Sequence, residues 1–161
     1  MPSGLTQTDD FTRARLFRPD KFFWKPWTGE GEARRPNGRL IGRYRVEGQG
    51  HADRRTGHMS QTITHDSGAV QTLEWEVLED DPESYVARDR ISGVTARGRA
   101  DGAEFVWSFW SRQATPVGGM PVKTTVTYAL EGETTAVGVS VARLFGLIPV
   151  AIMTTRYRQS G

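Results

Sequence analysis

The chain has 161 residues, of which 37% are hydrophobic and 25% are charged, and it contains 18 glycines and 8 prolines. This length suits about one domain, and the glycine and proline content favours short strands joined by turns over a helical bundle. The lack of cysteine excludes disulfides, thiolate metal sites and cysteine nucleophiles. The net charge of +2 is divided into −2 over residues 1–10, +7 over 11–58, −6 over 59–104 and +3 over 105–161. Strands from oppositely charged segments would largely cancel, so we expect no nucleic-acid partner.

The N-terminal region divides into a polar tail and an aromatic cluster. Residues 1–10 are predicted to be a disordered tail, and residues 11–161 a single β-barrel domain. Nothing in the tail resembles a signal peptide, and no apolar run is long enough for an integral membrane segment. We therefore expect a cytoplasmic protein, or a periplasmic one only if a signal peptide has been removed. A helical turn near Asp20–Phe23 is predicted to close one end of the fold with the neighbouring aromatic residues Phe17, Phe22, Phe23, Trp24 and Trp27.

From Trp27 onward, turn residues recur at the spacing of short strands. Pro36-Asn37-Gly38 closes a first hairpin, and Pro116 to Pro121 is predicted to be a longer loop. In Ala103–Arg112 the aromatic residues Phe105, Trp107 and Phe109 alternate with other side chains, which is the period of a strand and places the three rings on one face. The complete set of predicted strands is Trp27–Arg35, Leu40–Ala52, His58–Asp66, Val70–Glu79, Tyr85–Arg90, Thr95–Ala100, Ala103–Arg112, Val122–Leu130, Thr135–Ala142 and Val150–Arg158.

These nine or ten strands follow one another in up-and-down order without a long helical period. An open sheet of this width would leave two edges and a bare face, whereas a closed barrel leaves neither. The prediction is therefore an all-β fold, a single antiparallel up-and-down β-barrel of the calycin or lipocalin type, with a short N-terminal helical turn. Gly48 and Gly50 share one face of their strand, and they are expected at a sharply bent corner, although weak register is an alternative.

The pattern of turn glycines and packed aromatics resembles a bacterial family of uncharacterised proteins with a lipocalin-like barrel, classified as a domain of unknown function. The resemblance runs from about Phe22 to Arg158. It rests on Phe22-Phe23 before the Gly29/Gly31 strand and on a set of later positions, namely Gly38, Gly48, Asp66-Ser67-Gly68, Trp75, Gly93, Gly98, Gly102, Trp107, Phe145-Gly146 and Arg158. It implies the barrel fold and assigns no activity.

Polar candidates for chemistry are few. The three histidines, His51, His58 and His65, occupy two adjacent strands, but three or four convergent ligands are needed for a metal site, so we expect no metal. Surface imidazoles are the favoured interpretation, and a single haem ligand is the alternative. Glu74 and Arg90 would form an acid–base pair if both pointed inward, whereas surface charge pairing is the ordinary interpretation. The sequence lacks a Gly-x-Ser-x-Gly elbow and a phosphate-binding loop.

The aromatic residues on strand faces are the main functional candidates. In a barrel of this size they either fill the interior or surround one small ligand. We predict non-enzymatic binding of a small hydrophobic or aromatic ligand, without a cofactor, by a monomer or homodimer. The alternatives are an enzyme of the isomerase, cyclase or hydrolase type that uses Glu74 and Arg90, and a haem-binding barrel that uses one histidine. The predicted ligand-binding residues are Tyr44, Trp75, Phe105, Trp107, Phe109 and Tyr128.

Overall fold

A computed structural model describes residues 17–53, 56–81, 84–115 and 118–160. It contains one short helix, α1 (Pro19–Phe22), close to the predicted helical turn. The predicted tail, residues 1–10, lies outside the described residues and stays a prediction. No helix in the described part of the chain is long and apolar enough to cross a membrane. The strands are β1 (Trp27–Arg34), β2 (Leu40–Asp53), β3 (Thr56–His65), β4 (Val70–Asp81), β5 (Ser84–Asp89), β6 (Thr95–Asp101), β7 (Glu104–Thr115), β8 (Gly118–Leu130), β9 (Thr135–Leu144) and β10 (Ile148–Gln159).

The ten strands form a closed antiparallel barrel, as the sequence predicts. Each strand pairs with the next along the chain, and β1 pairs with β10 to close the sheet. The up-and-down order places alternate hairpins at opposite ends of the barrel. The β1–β2, β3–β4, β5–β6, β7–β8 and β9–β10 connections surround one end, which we call the mouth, and α1 lies at the other.

The loop predicted from Pro116 to Pro121 is too long. Strand β8 already begins at Gly118, and Pro121 pairs with Arg112 of β7. A proline has no amide hydrogen to donate to a second neighbour. Its position is nevertheless compatible with a strand because pairing between β8 and β9 begins only at Val122.

The aromatic residues near the N-terminus close the barrel end opposite the mouth. We call Phe17, Phe22, Phe23, Trp24 and Trp27 the aromatic plug. All but Trp24 are buried, with exposures of 4% or less. The Gln159 amide, at the end of β10, donates hydrogen bonds to the Lys21 and Phe22 carbonyl oxygens over 3.1 and 3.0 Å. Because these carbonyls lie at the end of α1, the bonds fix the plug to the sheet.

Strand glycines beneath the plug provide space for its indole rings. A Cβ atom at Gly50 or Gly57 would overlap the Trp24 ring, and one at Gly48 would lie 2.6 Å from the Trp27 ring. The Gly48–Gly50 pair, expected at a bent corner, is therefore explained by close approach of the plug to the sheet.

Candidate functional site

The barrel interior contains a cavity of about 480 Å³. The aromatic plug lies at its closed end, where Phe23 and Trp24 line it, and residues of the mouth, among them Ile41 and Ser67, line the other. A cavity of this volume falls within the range of small-molecule sites. The interior of this barrel is therefore not completely filled by side chains.

Five of the six predicted ligand-binding residues line this cavity: Tyr44, Trp75, Trp107, Phe109 and Tyr128. The Trp75 and Phe109 rings lie 6.3 Å apart, centroid to centroid, on opposite sides of the β5–β6 hairpin. Gly98, directly opposite Trp107 on β6, has no side chain and so leaves room for the indole. The remaining wall is largely aliphatic and includes Val46, Met59, Ile63, Leu73, Val77, Val126 and Met153.

Phe105 is the exception among the predicted residues. It shares the inward face of β7 with Trp107, but it is only 1% exposed and is not among the cavity-lining residues. Its ring packs against those of Tyr85 and Trp107 at centroid distances of 5.5 and 5.3 Å. Phe105 therefore belongs to the packed core near the plug, at a deeper level of the barrel than the cavity wall.

The inner part of the cavity carries a group of hydroxyls in otherwise apolar surroundings. The Tyr44 and Thr155 hydroxyl oxygens are 2.6 Å apart and share a hydrogen bond. The Tyr157 hydroxyl is hydrogen-bonded to the hydroxyls of Thr155 and Tyr128. These four side chains, all of which line the cavity, form a connected polar group close to the plug. They are the polar anchors that the inner cavity offers to a ligand.

Burial moves the pKa values of these tyrosines further above neutral pH. Desolvation raises the pKa of Tyr128 to about 12, although a hydrogen bond from Tyr157 opposes the shift. Desolvation also raises the pKa of Tyr157 well above its ordinary value, and the pKa of Tyr44 is raised mainly for the same reason. Aromatic contacts hold this layer in place, since Phe17 stacks on Tyr128 at 5.1 Å. The inner cavity therefore presents neutral hydroxyls.

Polar side chains are more frequent at the mouth. His65, Asp66, Ser67 and Gln71 line the cavity there, around the β3–β4 hairpin. Asp66 is exposed and accepts a hydrogen bond from the Arg43 amide over 3.1 Å. It is the only carboxylate among the described residues that line the cavity. The His65 ring lies 6.1 Å from that of Tyr44.

The three histidines do not converge. His51 and His58 are paired residues on the outer face of β2 and β3, where their rings stack at 5.1 Å. His65 is separated from them because it faces the cavity. Within the described ranges, no group of three or more histidines and carboxylates is placed to hold a metal ion.

Glu74 and Arg90 both lie on the exposed exterior of the barrel, and not inward as the enzyme alternative requires. The Glu74 carboxylate accepts a hydrogen bond from the Ser60 hydroxyl over 3.0 Å. The residue between Arg88 and Arg90 is the one that faces inward: Asp89 is 0% exposed. The enzyme alternative has therefore lost the two residues on which it depended.

Asp89 has a structural role that the sequence analysis missed. Its carboxylate accepts hydrogen bonds from the Glu74 amide at 2.8 Å and from the Ser92 amide and hydroxyl at 3.0 and 2.6 Å. Burial alone would raise the pKa of Asp89, but these bonds and a weaker one from Ile91 lower it below the ordinary value. An aspartate three residues before a serine and four before a turn glycine is typical of such a turn.

The sequence matches one family model over residues 4–155, which is nearly the whole chain. The chain belongs to the DUF3833 family of proteins of unknown function. This DUF3833 member has no match among curated protein sequences. This match confirms the resemblance predicted from the sequence, to an uncharacterised lipocalin-like family classified as a domain of unknown function.

Solved structures share the fold of the DUF3833 chain. The S-type phycobiliprotein lyase CpeS from Guillardia theta aligns with a TM-score of 0.60 and 8% identity, over 96% of this chain and 93% of that one. Rv2717c from M. tuberculosis aligns with a TM-score of 0.58 and 13% identity, over 91% of this chain and 99% of that one. At these identities the likeness shows a common lipocalin-like barrel architecture only.

A second depression, of about 530 Å³, lies at the sheet formed by β5, β6 and β7. Its lining includes the outward side chains of Arg97, Arg99, Val106 and Ser108 together with Asp80 and Asp101. Charges of both signs are interspersed there, and several of these side chains are exposed. The interior cavity is the better candidate site because a ligand in it would be surrounded by apolar walls.

Proposed function

We propose that this protein binds a small hydrophobic or aromatic molecule in the barrel cavity, without catalysing a reaction on it. The observation that carries the proposal is the cavity of about 480 Å³, closed by aromatic residues at one end and lined by Trp75, Trp107 and Phe109. An apolar molecule that enters it would leave water for contact with these rings. The interior would therefore select ligands chiefly by shape and hydrophobicity.

The polar groups of the cavity indicate which ligands fit. A charged ligand would lose its hydration deep in the barrel, and no cationic side chain is present among the described lining residues to compensate an anion there. Neutral hydroxyls at Tyr44, Tyr128 and Tyr157 can instead donate to or accept from one carbonyl or hydroxyl group. The expected ligand is therefore neutral and mainly apolar, with a polar group directed toward the plug.

The structural neighbours support a binding role through the fold alone. Lipocalin-like barrels can enclose a single small ligand, and this architecture is what the chain shares with CpeS and Rv2717c. Lyase activity is a property of the CpeS protein, and nothing in the wall of this cavity calls for it here. A cytoplasmic location and a monomeric or homodimeric state complete the proposal.

Native mass spectrometry of freshly purified protein tests the proposal, followed by organic extraction and identification of any bound molecule. We expect a stoichiometric adduct that is neutral and apolar, or a bare protein that binds a fluorescent apolar probe at one site. Bare protein that also ignores the probe would refute the proposal, because the cavity would then be too mobile or too well packed to hold a ligand.

A second candidate function follows from the position of His65. It is the one histidine that lines the cavity, so its imidazole could ligate the iron of a haem that occupies the same apolar space. Haemin titration distinguishes this candidate: a Soret band that forms in the wild type and in His58→Ala, but not in His65→Ala, would support it. His58 is a suitable control because it lies on the outer face of the same strand. The absence of a Soret band in the wild type would exclude it.

A further inference from the structure

The large hydrophobic side chains that remain exposed are concentrated at one end of the barrel. Ten such residues occur in the described part of the chain, and only Leu78 and Val139 lie away from the mouth. The others are on the mouth hairpins or the strand ends beside them: Leu40, Ile41, Val70, Ile91, Trp110, Phe145, Leu147 and Ile148. Scattered exposed hydrophobics are normal on a protein surface, but their concentration around one opening indicates a contact surface.

The β9–β10 hairpin carries the most prominent part of this surface. We call Trp110, Phe145, Leu147 and Ile148 the apolar tip, and their exposures range from 50% to 79%. Trp110 packs against Gly146 of this hairpin, and the Lys123 ammonium lies 6.0 Å from the centre of its ring. The apolar tip is therefore one continuous surface of aromatic and aliphatic side chains, and a cation lies next to it.

Phe145 and Gly146 are the two central residues of the tight turn between β9 and β10, which is closed by the Leu147 amide donating to the Leu144 carbonyl over 3.0 Å. The φ angle of Phe145 is 54°, in the left-handed region that glycine and asparagine adopt most readily. A phenylalanine there is strained, and at 50% exposure its ring recovers little from burial within the chain. A two-residue hairpin turn of this type requires positive φ at both central positions, so the turn accounts for the backbone and displays the exposed Phe145 ring at the rim of the mouth.

The two ends of the barrel differ in charge, with an excess of exposed cations at the mouth. Exposed cations at the mouth are Arg35, Arg39, Arg90 and Arg112, with Lys123 and Arg143 half-buried beside the tip. Fewer carboxylates are free at the mouth, because Asp89 is buried and Glu32 is paired with Arg34 at 2.8 Å, which leaves Asp66 and Glu74, the latter beside Arg90. At the plug end both signs are present: the described exposed carboxylates include Asp53, Glu79, Asp80, Asp101, Glu104, Glu131 and Glu133, and the cations include Arg18, Lys21, Lys25, Arg97, Arg99 and Arg158.

We propose that the mouth docks on an anionic membrane surface, with the apolar tip inserted at the level of the lipid headgroups. Exposed apolar residues flanked by basic side chains fit such a surface, since the first enter the interface and the second attract acidic lipids. The plug end, which has no such excess of cations, would face away from the bilayer. A second copy of the chain fits less well, because contact between two mouths would bring their arginines together. This inference is independent of the ligand proposed for the cavity.

Vesicle co-sedimentation tests the docking surface. We expect the full-length protein to bind vesicles of phosphatidylcholine containing about a third phosphatidylglycerol, and to bind pure phosphatidylcholine much more weakly. Raising the salt from about 0.05 to 0.5 M should weaken binding to the anionic vesicles, because the electrostatic part is screened. Equal binding to both kinds of vesicle, or no binding to either, would overturn the proposal.

The matched variants are Leu147→Asp in the tip and Leu78→Asp on the outer face of β4. Each places a carboxylate at an exposed leucine, with exposures of 79% and 51%, and neither residue lines the cavity. Leu147→Asp should weaken vesicle binding about ten- to hundredfold, the expected loss of one inserted leucine, whereas Leu78→Asp should leave it unchanged. Equal losses would refute the role of the tip. Size-exclusion chromatography tests the alternative of self-association. If the wild type is a dimer and Leu147→Asp is a monomer, the tip is a dimer contact and the proposal is overturned.

Both variants should keep the wild-type affinity for a fluorescent apolar probe. Vesicle binding and probe binding are therefore separate readouts. Failure of the first would overturn membrane docking and leave the cavity proposal intact. Failure of the second in the wild type would refute the cavity proposal and leave membrane docking intact.

Discussion

Replacement of Trp107 by alanine tests whether the aromatic wall contacts a ligand. An indole side chain can bury roughly 150–250 Å². Trp107 is only partly buried by the protein, because one side of its ring borders the cavity. If a ligand covers about a third of the ring, roughly 60–80 Å² of contact is lost in Trp107→Ala. At about 25 cal/mol per Å², the loss is about 2 kcal/mol, which weakens probe binding roughly 10- to 30-fold.

The barrel should survive this change. Truncation of a buried tryptophan to alanine costs about 3–5 kcal/mol, and the cost here should be near the lower limit because the ring already borders an empty volume. Contacts with Phe105 and Tyr85, at 5.3 and 6.4 Å between centroids, account for most of the loss. Urea unfolding followed by circular dichroism measures the change in the free energy of unfolding, and fluorescence titration with an apolar probe measures the affinity.

Trp110→Ala is the matched control, because Trp110 lies three residues away on the outer face of the same strand and is 51% exposed. It removes the same side chain without touching the cavity, so probe affinity should stay at the wild-type value. Two results would refute the reasoning. One is an unchanged affinity in a folded Trp107→Ala protein, and the other is an equal loss of affinity in both variants.

Three further predictions concern the supports of the cavity. Because the pKa of Tyr128 is raised to about 12, its contribution of about 3 kcal/mol to stability is present below pH 10 and is lost between pH 10 and 12. Between pH 10 and 12, the urea concentration at the midpoint of unfolding should therefore fall less for Tyr128→Phe than for the wild type. Asp89→Ala should lower the free energy of unfolding at pH 7 by about 3 kcal/mol, because buried donors lose their acceptor. An unchanged urea midpoint would contradict that assignment. Gly57→Ala should displace Trp24 and destabilise the barrel by about 2 kcal/mol, whereas Gly119→Ala, with its nearest neighbour at 3.5 Å, should have little effect on thermal unfolding.

The barrel could be predicted because nearly every strand combines alternating side chains with a turn glycine at its end. Pattern alone could not establish depth within the barrel. Phe105 and Trp107 have the same periodicity and residue class, but one packs near the plug and the other borders the cavity. That difference depends on how far the plug enters the interior, which is determined by contacts such as Phe23 with Tyr128 between residues distant in sequence.

The sequence could also predict only in part which polar side chains face the barrel interior. Arg90 was a candidate for an inward-facing charge, but the inward position belongs to the preceding residue, Asp89. A buried carboxylate is stable there only because the following turn supplies several donors. Likewise, alternation along β3 places His58 and His65 on opposite faces, but only the structure shows that His65 is the one that faces the cavity and that His51 lies beside His58.

The plug and the mouth together determine how a ligand could reach the cavity. Passage through the plug end would require separation of the Phe17, Phe23 and Tyr128 rings and rupture of the hydrogen bonds from Gln159 that hold α1. The mouth needs no such rearrangement, since cavity-lining residues such as Ile41 are exposed there. Exchange of ligand should therefore occur through the mouth. If the mouth rests on a bilayer, an apolar ligand could pass between membrane and cavity without crossing water. The basic and apolar rim of the mouth and the apolar interior would then form one continuous route for the ligand.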